Sequence, residues 1–159
     1  MIRTALIILA LACLPASILQ AQPWPAAPPR IGQLSMPQNY WNWTLEAARE
    51  HGVSPYVIPG FMAIESRYDP AATSGRGRCI GLMQLDRGVA RGLGVDPWKP
   101  RENIHGGARV LAALLKTHRG DLARVARAYN GSGCPPAYVR EVIRAVRQAK
   151  KTGAKSVGQ

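Results

Sequence analysis

The sequence predicts an all-α domain. Apolar residues recur at helical offsets in successive segments, and glycine, proline and capping residues fall at the ends of those segments. No stretch alternates apolar and polar residues between hairpin turns, and there is no internal repeat. The first helix is expected from Asn39 through Tyr40-Trp41-Asn42-Trp43 to Glu50, with its stop at Gly52. Ser54-Pro55 supplies a cap and a first-turn proline for a second helix ending at Glu65-Ser66-Arg67-Tyr68, before the terminator Asp69-Pro70. Pro59-Gly60 is expected to kink it. A glycine-rich loop over 75–81 leads into a short helix over 82–93. The next helix, over 103–119, places Ile104, Ala108, Leu111 and Leu115 on one face. Asp121 caps a helix with Leu122, Val125, Ala126 and Tyr129 inward. Pro135-Pro136 starts the last helix, where Val139, Val142, Ile143 and Val146 face the core and Arg140, Arg144, Arg147 and Lys151 form an outer basic stripe.

The ends of the chain read differently. Arg3, the apolar run from Ala5 to Ala12 and the small-residue site near Ala21 have the layout of a secretory signal over 1–21, with an uncleaved membrane anchor as the alternative. Residues 22–37 carry Pro23, Pro25, Pro28, Pro29 and Pro37, which favours an extended spacer. The folded domain is therefore expected over 38–148, followed by a flexible basic tail over 149–159. At 159 residues and 47% hydrophobic content the chain suits one domain and excludes a disordered one. Export implies a periplasmic or secreted location.

The formal charge is +12, or +11 once Arg3 leaves with the signal, and such a field attracts polyanions. Export favours bacterial wall polymers over nucleic acid, for which the chain shows no recognisable module. Loss of Cys13 with the signal leaves Cys79 and Cys134, an even pair expected to form a disulfide in an exported protein. It would close a long loop and stabilise by about 4 kcal/mol. His51, His105 and His118 have no ligand spacing relative to the cysteines, so neither a metal nor any other cofactor is expected.

Glu65 is the most informative residue. With Ile58, Phe61 and Met62 it falls at offsets 0, 3, 4 and 7, so a carboxyl continues an apolar stripe. Desolvation there favours the protonated form, which general-acid cleavage of a glycosidic bond requires. Asp69 precedes Pro70 and ends the helix. Asp86 is the candidate for a second carboxylate, with a solvated residue of a helix's first turn as its plainer reading.

Three segments in order, Glu65-Ser66, Gly81-Leu82-Met83-Gln84 and Ala128-Tyr129-Asn130, resemble the catalytic domain of the soluble lytic transglycosylases, which have a goose-lysozyme-like α fold. Asp69-Pro70-x-Ala72, Ser74, Asp96-Pro97, Asn103-Ile104 and Gly120-Asp121-Leu122 also match, and the likeness spans 39–146. The resemblance implies a lysozyme-like helical domain with a sugar-binding groove. It also implies cleavage of peptidoglycan between N-acetylmuramic acid and N-acetylglucosamine, with Glu65 acting as acid and then base and a 1,6-anhydro sugar as product. Ser74, Met83, Gln84, Tyr129 and Asn130 would line the groove. Trp41, Trp43 and Trp98 are available either to stack on sugars or to pack. The chain departs from the family pattern in having Leu85-Asp86-Arg87 where a Met-Pro pair is common, and Gly131-Ser132-Gly133 after the Asn. Small members of the family serve envelope-spanning secretion, conjugation or pilus machines, so such a machine is an expected partner of an otherwise monomeric protein. A hydrolase of the same bond using Asp86, and a non-catalytic wall-binding factor, are the alternatives.

Overall fold

The computed structural model describes residues 24–155, so the export signal read over 1–21 and the last four residues lie outside it. The described residues form α1 (Gln38–His51), α2 (Val57–Glu65), α3 (Arg87–Leu93), α4 (Pro100–Thr117), α5 (Leu122–Asn130) and α6 (Pro136–Lys155). Two small antiparallel hairpins accompany them, β1 (Arg30–Ile31) with β2 (Leu34–Ser35) and β3 (Cys79–Ile80) with β4 (Leu85–Asp86). The all-α expectation holds, with the hairpins as minor additions.

α2 is the centre of the domain. Every residue from Val57 to Ala63 is buried, and Ile58, Phe61 and Met62 have no exposed surface. Fully burying each such side chain contributes about 1.5–3 kcal/mol, which fixes the helix in place and denies Glu65 at its end an easy route to water. α6 crosses α2 at Gly60. A Cβ there would overlap Val146 Cγ2 and lie 2.9 Å from the Val146 backbone, so only glycine permits this approach. The expected kink is absent from the helix as observed. α2 begins at Val57 and not at Ser54-Pro55, so Pro59 falls in the first turn, where backbone N–H groups have no intrahelical partner in any case.

Three further expectations need correction. The segment 82–93 is not one helix: Gly81–Gln84 is the turn of the β3–β4 hairpin, and α3 starts only at Arg87, because Asp86 Oδ1 accepts from the N–H groups of Gly88 and Val89 and caps it. Residues 24–37 are not a free spacer. Ile31 and Met36 are buried, Trp41 Nε1 donates to Pro25 O at 2.9 Å, the Arg49 guanidinium lies 4.5 Å from the centre of the Trp24 ring, and Arg30 N donates to Thr152 Oγ1 at 3.1 Å. The proline-rich segment is thus a strap across α1 and α6. Nor is 149–155 a flexible tail, since Ala149 continues the buried Val142 and Ala145 stripe and α6 runs on to Lys155.

Candidate functional site

Glu65 is the last residue of α2. Burial pushes its carboxyl above the ordinary value, against a hydrogen bond donated by the Tyr138 hydroxyl to Glu65 Oε1, which favours the ionised form. The carbonyl end of α2 acts in the same direction as burial. Tyr138 comes from the first turn of α6. Burial and the neighbouring Glu65 carboxylate push its own hydroxyl far up, so it stays a proton-bearing donor.

Ser66 explains why a serine follows the acid. Its hydroxyl lies 2.8 Å from Leu82 O and 3.1 Å from Met62 O, which ties the end of α2 to the turn Gly81–Gln84. The chain then reverses through left-handed Arg67 and Tyr68. The turn itself is held from below by Asn103 of α4, which has no exposed surface. Asn103 Oδ1 accepts from Met83 N at 2.7 Å, and Nδ2 donates to Ile80 O and Pro97 O, each at 2.8 Å. Gly81 sits at φ 77°, and a Cβ there would come 2.5 Å from Asn103 Nδ2 and 2.8 Å from Pro97 O, so both conformation and space demand glycine. Tyr129 of α5 packs against Phe61 with ring centres 4.9 Å apart, and its hydroxyl donates to Met83 O at 2.8 Å. Burial, and then the nearby Glu65 charge, push the Tyr129 hydroxyl well up.

Gln84, Tyr129 and Asn130 together line a pocket of about 340 Å³ that also touches Cys79 and Asp86. Gln84 is in a left-handed conformation, with its amide donating to Ala72 O at 2.9 Å and Gly81 O at 3.0 Å, so it braces the turn while facing the pocket. Ser74 is exposed on the preceding loop and is not part of that lining. Met83, expected in the groove wall, is fully buried and contributes its backbone to the site. Trp41 is core, whereas Trp98 is half exposed, at 51%.

Asp86 is fully committed to structure. Oδ1 caps α3, and Oδ2 accepts from Arg78 Nε at 2.8 Å; this ion pair, followed by the bond from Gly88 N, holds the carboxyl below its ordinary range. The expected Cys79–Cys134 disulfide is not formed. Cys79 is fixed in β3, while Cys134 belongs to the loop between α5 and α6, and its sulfur lies 3.7 Å from Pro135 O instead.

Two residues of this arrangement escape the sequence reading. Asn103 appears there only as a matching position, and Tyr138 not at all. Tyr138, Val142, Ala145 and Ala149 recur at 0, 4, 7 and 11 along α6, so a tyrosine continuing that stripe was the available signal.

The fold and site define a helical domain with a desolvated acid held by Tyr138 and close to Tyr129, which lines the neighbouring pocket, although Glu65 is not part of that lining. Residues 42–154 match the family described as "Transglycosylase SLT domain", and the chain belongs to it. It is 36% identical over 93 residues to the "Transglycosylase" of Enterobacteria phage PRD1, an overlap of 58% of this chain and 34% of the relative. It is 37% identical over 91 residues to "Membrane-bound lytic murein transglycosylase F 1" of Alkalilimnicola ehrlichii, covering 57% of this chain and 18% of that one. The "Peptidoglycan transglycosylase gp16" of Escherichia phage T7 is 32% identical over 104 residues, which is 8% of its length. The chain therefore spans about a third or less of these relatives. The structure of an inactive mutant of the lytic transglycosylase Slt from Pseudomonas aeruginosa superposes with a TM-score of 0.53 at 20% identity, over 76% of this chain and 23% of that one, and supports the fold.

Proposed function

We propose that the protein is a peptidoglycan lytic transglycosylase. In this reading the protonated Glu65 gives its proton to the glycosidic oxygen between N-acetylmuramic acid and N-acetylglucosamine as the bond to C1 breaks. The substrate's acetamido oxygen stabilises the positive charge at C1. The Glu65 carboxylate then takes the proton of the muramoyl C6 hydroxyl, whose oxygen closes on C1 to give the 1,6-anhydro product, so no water is consumed.

The observation that carries the reading is the contrast between two carboxyls. Glu65 is desolvated and held by one neutral donor, as an acid that must gain and lose a proton requires. Asp86, the candidate partner of a hydrolytic mechanism, has its oxygens engaged by Arg78 and the α3 cap, and activating a water would compete with both. Tyr129 and Tyr138 supply the frame, and Gln84 and Asn130 the polar edges for sugar hydroxyls, with Ser74 exposed on the loop before β3. The basic surface and the signal-like 1–21 support action on wall polymers in the periplasm or outside the cell, in the service of an envelope-spanning machine. Among the described residues no helix is long and apolar enough to cross a membrane.

The test is digestion of purified wall followed by mass analysis of the released fragments. Anhydro ends are expected. Reducing ends would replace the reading by hydrolysis, and no release by wall binding without catalysis.

A further inference from the structure

α1 and α4 pack side by side, and their contact holds a polar cluster that the Glu65 site does not use. Glu50 and His51 are adjacent at the end of α1, and His105 comes from α4. His105 Nδ1 lies 3.0 Å from Glu50 Oε2, and His51 Nε2 lies 3.7 Å from Glu50 Oε1. One donor atom from each of the three side chains falls within 4.8 Å of the others. The two imidazoles meet edge to face with centres 6.1 Å apart, and their side chains are only 16% and 17% exposed. Glu46 adds a carboxylate 3.6 Å from His105 Nε2, but Arg101 Nε already holds it at 3.0 Å. His105 Nε2 is buried, with that carboxylate just beyond hydrogen-bond distance.

An ordinary ion-pair cluster accounts poorly for this set. It leaves His105 Nε2 just beyond hydrogen-bond distance of Glu46, while two imidazoles converge on the one carboxylate of Glu50. Bound at His105 Nδ1, the nitrogen that faces Glu50, a divalent ion would take one donor from each of the three side chains and fix the remaining imidazole proton on Nε2, where Glu46 Oε2 lies 3.6 Å away to accept it. Two imidazoles and a carboxylate suit a borderline ion such as zinc; calcium and magnesium ask for six or more oxygens or several waters. Tetrahedral zinc with bonds of about 2.1 Å needs donor atoms about 3.4 Å apart. The cluster approaches that spacing, and Glu50, 60% exposed, can rotate to close the remainder.

We propose that Glu50, His51 and His105 form a divalent transition-metal site of the zinc class, with a fourth position open to water, that staples α1 to α4. His105 lies two residues beyond Asn103, the residue that holds the turn Gly81–Gln84, so the staple braces the element beneath that turn. The proposal is independent of the glycan-cleaving reading.

Chelator-treated full-length protein is titrated with zinc against a chromophoric chelator, and its Tm is measured with and without zinc. One equivalent and a higher Tm are expected for the parent, with affinity at least about tenfold weaker in both His105→Gln and Glu50→Gln. In the parent protein cobalt should give visible ligand-field absorption without a thiolate-to-metal band, a readout that does not depend on any variant folding. Absence of competitive binding, retention of full affinity in either variant, or a thiolate band, which would assign the metal to Cys79 or Cys134, overturns the site.

Discussion

Replacing Tyr138 by Phe removes one hydrogen bond and little else, because the ring stays in place and only the hydroxyl that donates to Glu65 Oε1 is lost. Two opposed influences act on the Glu65 carboxyl: burial raises it, and the Tyr138 donor lowers it. Deleting the donor leaves burial unopposed, so the carboxyl must hold its proton to higher pH. A hydrogen bond to a charged group is worth about 1.5–3 kcal/mol, and the partial exposure of both side chains favours the lower end, about tenfold in the ratio of ionised to protonated acid. With catalysis beginning from protonated Glu65, as proposed, the parent's kcat/KM should fall on the alkaline side as this group ionises, and in Tyr138→Phe that limb should lie at higher pH. At neutral pH the same variant should turn over more slowly, because the base that withdraws the C6 proton has lost the donor that orients it. The assay is a pH–rate profile on a defined glycan, paired with carbon NMR of labelled glutamate, using Glu65→Gln to assign the signal. An unmoved alkaline limb, or one at lower pH, would refute the assignment of Tyr138 as the group that holds the ionised acid.

Glu65→Gln should reduce glycan cleavage by at least about 10²–10⁴-fold, as expected for removal of a general acid, while retaining wall binding. It should also raise Tm at neutral pH. Below the unfolded carboxyl value of about 4.3 both states are protonated and the two proteins should match; as pH rises through the raised folded value, only the parent must ionise a desolvated group, so a Tm advantage at acid pH instead would contradict the burial argument. Gly60→Ala places a methyl 2.9 Å from the Val146 backbone, and calorimetry should find a loss of about 1–3 kcal/mol; an unchanged Tm would mean that α2 and α6 can separate without cost. Arg140, Arg144 and Arg147 are exposed along α6, and replacing all three by Gln should weaken wall binding at low salt and flatten its salt dependence, because the screening length falls from about 10 Å at 0.1 M to about 3 Å at 1 M. Cleavage of a short uncharged glycan should be unchanged, and its loss would give the stripe a structural role.

What the sequence made legible follows the strength of local signals. Asp121 with Leu122, Val125 and Ala126, and the stop at Gly52, are read correctly because cap and stripe agree over a single turn of chain. The start of α2 is misread because Ser54-Pro55 is a plausible cap, yet the turn through Tyr56 wins where burial of Val57 and Ile58 decides the register. The Gly81–Gln84 turn is beyond local reading altogether. It exists because Asn103, about one helix further along the chain, supplies both an acceptor and donors to it. Likewise the strap over 24–37 looks like a spacer in composition, and only the meeting with Thr152 and Trp41 gives Ile31 and Met36 something to be buried against. Glu65 was legible because desolvation is encoded in the stripe that precedes it; Tyr138 was not, because the apolar face of α6 can be drawn through Val139 as readily as through Tyr138.

The same long-range logic bears on the proposed single-acid mechanism. A second carboxylate near Glu65 would raise the cost of ionising it, and the chain keeps its other candidate out of that role by giving it two structural tasks. Asp86 caps α3 and binds Arg78, and the ion pair requires the ionised form, so a protonated Asp86 would loosen its hold on Arg78 and a water-activating one would compete with both contacts. Asp86→Asn keeps an acceptor for the cap but loses the charge that pairs with Arg78. It should therefore lower stability modestly while leaving anhydro product as the outcome of wall digestion. If instead Asp86→Asn abolished turnover with Tm unchanged, the carboxylate would be acting on substrate or water, and the single-acid mechanism would have to be abandoned for a hydrolytic one.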